Sequence, residues 1–364
     1  MRLKLWLRSS CAAFLCAASL CAFFLAAPAA DAAPLQKVAT AWMGAQETFP
    51  IWYAKDQGWD KEAGLDLSLL YFNSGMDSLN TLPAGSWVYA GVGALPAVIG
   101  ALRYDISVIA LCNDEAAANA VLVRPDSPIA KVRGHNKDYP NVCGSPQTVK
   151  GATILTTTVS SSHYALDKWL HALGLTEKDV TIKNMDQAAA LAAFEYGLGD
   201  AVVLWAPLTY VGTSRGWVVA ATPRETGNPL PLLLVANKSY AERNPEITAR
   251  FVELYLRGIE YMQTTPMEEL LPVYLRFYTE WAGSEYTPEL ARRDINAHTI
   301  YSLDEQLSLF DITNGPSKIQ QWLSTVAEFF FDTGRINRAE LSRVHSSAYV
   351  TDTFLQKARE ERAK

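Results

Sequence analysis

The sequence predicts an α/β fold with two lobes, each built on a mostly parallel sheet that is flanked by helices. Short apolar segments alternate with helical stretches over residues 36–236, a pattern that is typical of βαβ units. The chain has 364 residues, which exceeds the ~250–300 residues at which a single hydrophobic core stops growing. No repeat with a period of ~20–50 residues is present, so the sequence excludes a solenoid.

The first lobe is predicted to comprise residues 33–114 and 222–364. Apolar segments predict its first strands at residues 37–43, 65–72, 88–92 and 106–111, with helices that begin near residues 50, 76 and 95. The chain returns to this lobe with a strand at 232–236 and is then helical to its end. That region contains Asn244-Pro245-Glu246, a helix start with an N-cap, a proline at N1 and an acidic first turn.

The second lobe is predicted to comprise residues 115–221 and shows the same alternation. Residues 125–149 contain several Pro and Gly residues with little periodicity, which predicts a long surface excursion. The predicted strands cover residues 120–124, 152–155, 180–184, 201–204 and 217–221, and the helices cover 162–173 and 187–197.

Residues 1–32 have the pattern of a cleaved signal peptide, with a basic start, an apolar middle and the small-x-small triplet Ala30-Asp31-Ala32. We expect cleavage after Ala32 and a periplasmic location. Cys112 and Cys143 are the cysteines that remain, and their spacing leaves open whether they form a disulfide or are two separate buried thiols.

Several classes of protein are disfavoured by composition and motifs. The net charge of −6 is spread along the chain, whereas nucleic-acid binders concentrate Lys and Arg on one face. The histidines have no metal-ligand spacing, and neither a nucleophile elbow nor a dinucleotide-binding fingerprint is present. We therefore expect a non-enzymatic protein without a metal or cofactor.

Loops that follow the strands are the places where a ligand is expected. In an open α/β sheet, ligands bind beyond the carboxyl ends of the strands, near helix N-termini that carry a partial positive charge. The loop at residues 156–164 is rich in hydroxyls and leads directly into a helix, which favours an anion site; helix capping by one serine is the alternative. The candidate residues in this loop are Ser160, Ser161, Ser162, His163 and Tyr164.

Small residues mark two further strand-to-helix turns. Gly93 and Ala94 allow a ligand to approach the backbone closely, and Ser74 lies in a similar turn after the preceding strand. Trp205 follows the strand at 201–204, where it could form one wall of a pocket or pack in the core.

Acidic and amide side chains complete the set of candidates. Glu47 follows the first strand and could pair with a ligand ammonium group or stabilise the N-terminus of the next helix. Asn113 and Glu115 lie where the chain leaves the first lobe, so they could line a cleft or solvate a hinge.

A set of short segments becomes informative when it is taken in order along the chain. The segments are Lys61-Glu62-Ala63-Gly64-Leu65-Asp66-Leu67, Phe72-Asn73-Ser74-Gly75, Gly91-Val92-Gly93-Ala94-Leu95-Pro96, Val149-Lys150-Gly151-Ala152, Ser161-Ser162-His163-Tyr164-Ala165-Leu166, Gly199-Asp200-Ala201 and Leu204-Trp205-Ala206-Pro207. Together they resemble the taurine, alkanesulfonate and nitrate-type periplasmic binding proteins of ABC transporters. The helical tail from residue 303 to 336 resembles the taurine-binding branch in particular.

The resemblance implies a periplasmic-binding-protein-like clamp of type II, with a helical C-terminal region and a small sulfonate-like anion held between the lobes. It further implies that loop groups around Ala94 and Ser161 to His163 hold the sulfonate, and that Trp205 packs against the carbons of the ligand. The expected partner is an ABC permease in the inner membrane, and we expect a monomer that binds no nucleic acid.

Three alternatives remain open at this stage. The ligand could be cationic or heterocyclic, like a thiamin pyrimidine, if Glu47, Glu115 and Trp205 dominate the contacts. The protein could instead report its ligand to a membrane receptor. A related enzyme of thiamin pyrimidine synthesis is disfavoured by the signal peptide and by the missing Cys cluster.

Overall fold

The computed structural model describes residues 34–363. The predicted signal peptide, residues 1–32, lies outside the described residues. Over the described range, no helix is both long enough and apolar enough to cross a membrane.

The chain builds its secondary structure in three consecutive series. The first series is β1 (Gln36–Trp42), α1 (Phe49–Asp56), α2 (Trp59–Glu62), β2 (Leu65–Tyr71), α3 (Gly75–Thr81), β3 (Tyr89–Gly93), α4 (Ala94–Arg103) and β4 (Ile106–Asp114). The second is β5 (Ala120–Val123), α5 (Pro146–Val149), β6 (Thr153–Thr156), α6 (Ser161–Ala172), β7 (Thr181–Asn184), α7 (Gln187–Glu195), β8 (Ala201–Leu204), α8 (Leu208–Ser214) and β9 (Val218–Ala221). The third is β10 (Pro231–Asn237), α9 (Lys238–Arg243), α10 (Pro245–Thr264), α11 (Met267–Glu280), α12 (Pro288–Ala297), α13 (Leu303–Phe310), α14 (Lys318–Asp332), α15 (Arg338–His345) and α16 (Thr353–Arg362).

The first sheet has five strands in the order β2-β1-β3-β10-β4. β1 pairs in parallel with β2 and β3, and β10 runs antiparallel to β3 and β4. Every residue of β3 is buried, as expected for a strand that is covered on both faces of a sheet.

The second sheet also has five strands, in the order β7-β6-β8-β5-β9. β6 pairs in parallel with β7 and β8, whereas β5 is antiparallel to β8 and β9. Each sheet therefore contains one reversed strand, and the predicted α/β fold with mostly parallel sheets is confirmed.

Two short segments connect the sheets, residues 115–119 after β4 and residues 222–230 before β10. Helices from the C-terminal series bury apolar side chains against the first sheet; for example, Tyr255 of α10 stacks on Trp42 with ring centroids 5.7 Å apart. The described residues from Leu35 onward form one compact unit. The division into two lobes with the predicted boundaries stays a prediction.

The two cysteines within the described residues are separate buried thiols. Cys112 lies in β4 and packs in the core of the first sheet. Cys143 lies in the excursion between β5 and β6 and packs in a core of the second sheet. The disulfide that the sequence left open is not formed, because each thiol belongs to a different core.

Candidate ligand-binding site

One cavity is lined by segments that follow strands of both sheets. The first sheet contributes the segments after β1, β2, β3 and β4, and the second sheet contributes those after β6 and β8. The empty space between these segments, including open solvent at its mouth, is about 450 Å³. The lining residues are Met43, Ala45, Glu47, Ser74, Gly75, Met76, Gly93, Pro96, Glu115, Thr157, Thr158, Val159, Ser160, Ser161, Trp205 and Leu232.

Glu47 is the most strongly perturbed acid in this lining. It lies in a single 3₁₀ turn between β1 and α1, and its backbone carbonyl accepts a hydrogen bond of 2.6 Å from the hydroxyl of Tyr255. The residue is 1% exposed, and its Oε1 has no hydrogen-bond partner. Burial, reinforced by the nearby carboxylate of Glu115, raises the pKa of Glu47 to about 8.

Glu115 brings a second buried carboxylate to the same cavity. It is 7% exposed and lies in the segment that leaves the first sheet. The hydroxyl of Ser161, the first residue of α6, donates a hydrogen bond to its Oε1. Burial raises the pKa of Glu115, and the hydrogen bond from Ser161 opposes that rise because it stabilises the charged form.

Gly93 brings the first sheet close to α6. A Cβ atom on Gly93 would lie 2.7 Å from Oγ of Ser161, so a larger residue would push the two elements apart. Gly93 is also the N-cap of α4 and has no side chain to cap it. The first N–H groups of α4, those of Ala94 and Leu95, therefore have no side-chain cap, and the partial positive charge at this end of the helix favours an anion.

The loop before α6 is held by its own side chains. Ser160 is the N-cap of α6; its Oγ accepts from the N–H of His163, and its hydroxyl donates to the carbonyl of Thr157 at 2.6 Å. Val159 has a φ of 56°, a left-handed conformation that is rare for a β-branched residue. Val159 lines the cavity. Strained backbone of this kind is found most often at functional sites.

The side chain of His163 holds this loop through hydrogen bonds. Its Nδ1 accepts a hydrogen bond of 3.1 Å from the N–H of Val159. Since Nδ1 is an acceptor, Nε2 carries the proton and donates to Oε1 of Glu177 at 2.6 Å. Arg335, from the C-terminal region, donates to Oε2 of the same Glu177 at 3.1 Å. His163 thus positions the loop.

Trp205 forms a half-buried wall of the cavity directly after β8. Oε1 of Gln187 accepts its backbone N–H at 2.9 Å, and Nε2 of Gln187 donates to Oγ1 of Thr157 at 3.0 Å. One amide side chain therefore ties the Trp205 turn to the loop before α6.

The structure gathers part of the predicted set around the cavity. Glu47, Ser74, Gly93, Glu115, Ser160, Ser161 and Trp205 line it.

The other predicted side chains face elsewhere. Ala94 is buried as the first residue of α4, and Asn113 donates from Nδ2 to Oε1 of Gln46 at 2.6 Å. Ser162 bonds Asn119, and Tyr164 packs edge-on against Phe329. The side chain of His163 likewise does not line the cavity.

The sequence did not single out several lining residues. Met43, Met76 and Leu232 have no polar group and look like core residues in a sequence. Thr157 and Thr158 lie in the hydroxyl-rich loop. Their position beside the predicted serines was the one feature of the sequence that could have identified them as lining residues. Within residues 34–363, no group of three or more His, Cys, Asp and Glu side chains could hold a metal ion.

The chain is similar in sequence to several known proteins. Residues 45–269 match the model of a family described as "NMT1/THI5 like". The chain is 27% identical over 301 residues to a "Putative ABC transporter periplasmic binding protein" of Brachyspira hyodysenteriae, a match that covers 81% of this chain and 82% of that protein. It is 25% identical to a "Putative aliphatic sulfonates-binding protein" of Bacillus subtilis, over 87% of this chain and 86% of that protein.

A solved structure has a similar fold. The crystal structure of the periplasmic aliphatic sulphonate binding protein from Escherichia coli matches with a TM-score of 0.65 at 18% identity, covering 86% of this chain and 99% of that one.

Proposed function

The chain belongs to the NMT1/THI5-like family, and from this premise we propose that it is the substrate-binding component of an ABC importer for a small organic sulfonate, such as taurine or a related alkanesulfonate. The observation that carries the proposal is the cavity lined from both sheets, with the N-termini of α4 and α6 and the ring of Trp205 around it. Helix N-termini favour a negatively charged group, and an indole can cover a short carbon chain.

The names of the relatives support the same role. Two curated relatives that align over more than four fifths of this chain are named as a periplasmic binding protein of an ABC transporter and as an aliphatic sulfonate-binding protein. By this reading the protein works in the periplasm as a monomer, performs no catalysis, and delivers its ligand to a permease in the inner membrane.

Ligand binding would act through the two sheets together. A ligand that touches both sheets stabilises the closed arrangement by its differential affinity for that state. Glu115 and Ser161 belong to different parts of the chain and meet at the cavity, so they are suited to sense closure.

A thermal-shift screen of the purified protein tests the proposal. Taurine, isethionate, longer alkanesulfonates, sulfate and nitrate are compared, and a ligand at one hundred times its dissociation constant adds ~2.7 kcal/mol of stability. We expect at least one sulfonate to raise the melting temperature, and we expect Trp205→Ala to weaken that shift. Absence of any shift with all the sulfonates would reject the proposed ligand class.

A cationic or heterocyclic ligand is the second candidate. It is favoured by Glu47 and Glu115, two buried carboxylates in a lining that has no Lys or Arg side chain among the described residues. A choline-type cation or a thiamin pyrimidine would then shift the melting temperature while amine-free sulfonates would not.

A further inference from the structure

The turn at Val159 is held in an unfavourable backbone conformation by a side chain that does not line the cavity. Its φ of 56° lies in a region that β-branched residues rarely occupy, and such a conformation persists only where the surrounding contacts over-determine it. The N–H of Val159 donates to Nδ1 of His163 at 3.1 Å. The shape of this part of the cavity wall therefore depends on the orientation of the His163 ring.

Glu177 sets the orientation of that ring from its opposite side. Nε2 of His163 donates to Oε1 of Glu177 at 2.6 Å, and the ring stands edge-on to Phe329 with centroids 5.2 Å apart. Burial opposes the ionisation of Glu177, but the hydrogen bonds and charges of His163 and Arg335 hold the pKa of its carboxyl below its usual value. Glu177 is therefore a carboxylate, and its two oxygens accept from both neighbours at once.

Arg335 connects this network to the first sheet. Its N–H donates to the carbonyl of Phe330 at 2.7 Å, which fixes it to the end of α14, and α14 buries its apolar face in the core of the first sheet. The guanidinium of Arg335 lies 5.7 Å from the centroid of the Phe329 ring and donates to Oε2 of Glu177 at 3.1 Å. The chain of contacts thus begins in the core of the first sheet and ends at the turn before α6.

The side chain of Val159 meets the first sheet as well. It packs at the edge of the hydrophobic core of that sheet, although its backbone lies between β6 and α6 of the second. The turn is therefore contacted from the first sheet at its side chain and, through Glu177 and His163, at its N–H. Both contacts require the two sheets to be seated against each other.

We propose that Arg335 is a positioning residue that latches the C-terminal region onto Glu177. In the latched state His163 stays bonded to the N–H of Val159, and the left-handed turn is kept in the cavity wall. Withdrawal of Arg335 frees the imidazole to rotate, Val159 relaxes to a negative φ, and the wall changes shape. The cavity is then complete only while the C-terminal region is seated on α6. The latch rests on the proposed function in one respect, that this cavity is the ligand site, and does not depend on which ligand binds.

A scalar coupling across the hydrogen bond tests the latch without any ligand. The purified protein is isotopically labelled at the nitrogens of valine and histidine, and NMR measures the coupling between the amide nitrogen of Val159 and Nδ1 of His163. We expect this coupling in the wild type and its loss in Arg335→Gln, which removes the cation that Glu177 pairs with.

A second variant keeps the test decisive if Arg335→Gln does not fold. Glu177→Ala removes the acceptor of both His163 and Arg335, so the coupling should be lost in the same way. Lys178→Ala changes the exposed neighbour on the same turn and is the matched control, in which the coupling should be retained. Thermal melts establish that each variant is folded.

The outcomes are independent of the sulfonate screen. Retention of the coupling in folded Arg335→Gln or Glu177→Ala would overturn the latch. Absence of the coupling in the wild type would overturn it too, because His163 would not then hold the turn. Loss of the coupling in Lys178→Ala would show that any change on this turn disturbs the loop, and the assignment to Arg335 would fall. Since no ligand is added, each of these results leaves the proposed sulfonate-binding function to its own test.

Discussion

Ser161 donates its hydroxyl hydrogen to a carboxylate oxygen of Glu115, so the first residue of α6 is bonded to the segment by which the chain leaves the first sheet. Both residues line the cavity and both are buried. The contact therefore joins the two halves of the proposed site directly.

Removal of this contact should weaken both the fold and ligand binding. Ser161→Ala leaves a buried carboxylate with one donor fewer, which costs ~1–3 kcal/mol, and we expect ligand affinity to fall by about tenfold. Ser162→Ala is the control, because its hydroxyl bonds Asn119 at 3.5 Å and does not line the cavity. Titration calorimetry and chemical unfolding measure the two effects; equal losses of affinity in both variants would contradict the assignment.

Gly93→Ala tests the close approach between the first sheet and α6. The new Cβ would lie 2.7 Å from Oγ of Ser161, so we expect weaker ligand binding. The double variant Gly93→Ala/Ser161→Gly also removes the atom that the new Cβ meets, so its loss of affinity should be smaller than the sum of the two single losses in a double-mutant cycle. Strictly additive losses would show that the two residues do not constrain each other.

The pKa of Glu47 predicts how stability without ligand changes with pH. Its carboxyl has a pKa of about 8 in the folded protein, raised by burial and by the charges of Glu115 and Asp294; in the unfolded chain it ionises near 4.5. The folded state therefore binds the proton more tightly, and this contribution to stability is complete below about pH 4.5 and is lost as the pH rises through about 8.

Comparison with Glu47→Gln isolates that contribution. We expect the free energy of unfolding of the wild type to fall more steeply between pH 5 and pH 9 than that of the variant. Urea unfolding at several pH values measures the difference. Parallel curves for the two proteins would show that Glu47 does not retain a proton in the fold.

Arg335→Gln tests the contact between the C-terminal region and the loop before α6. Arg335 bonds Glu177, which in turn accepts from His163, and the side chains of Arg335 and Glu177 are 27% and 17% exposed. Removing the charge from this partly buried network should cost ~1–3 kcal/mol of stability. Arg338→Gln, which removes a guanidinium that lies over the Phe331 ring, is the control and should cost less than ~1 kcal/mol. Equal losses of stability in the two variants would show that the network of Arg335, Glu177 and His163 does not stabilise the fold more than a surface contact does.

The sequence predicted the fold, and it singled out loops that the structure places around one cavity, because both depend on local patterns. Alternating strands and helices specify the sheet class, and ligands of such sheets bind beyond the carboxyl ends of the strands. Glu47, Gly93, Glu115, Ser161 and Trp205 follow strands in this way, and all of them line the cavity.

The orientation of individual side chains could not be predicted in the same way. Consecutive residues of α6 point in directions about 100° apart, so Ser161 faces the cavity while Ser162, His163 and Tyr164 are buried elsewhere. The support that His163 gives to Val159 depends on a left-handed backbone at a β-branched residue, which no sequence pattern signals. The pairing of Glu47 with Glu115 depends on where two distant loops meet.

The most direct measurement of the central claim is a calorimetric titration of the purified protein with short aliphatic sulfonates, taurine among them, repeated on Trp205→Ala. We predict one binding site per chain in the wild type and about tenfold weaker binding in Trp205→Ala, because the indole that covers the carbon chain is lost. No heat of binding with any sulfonate, or equal affinity in the two proteins, would contradict the assignment of this cavity as a sulfonate site.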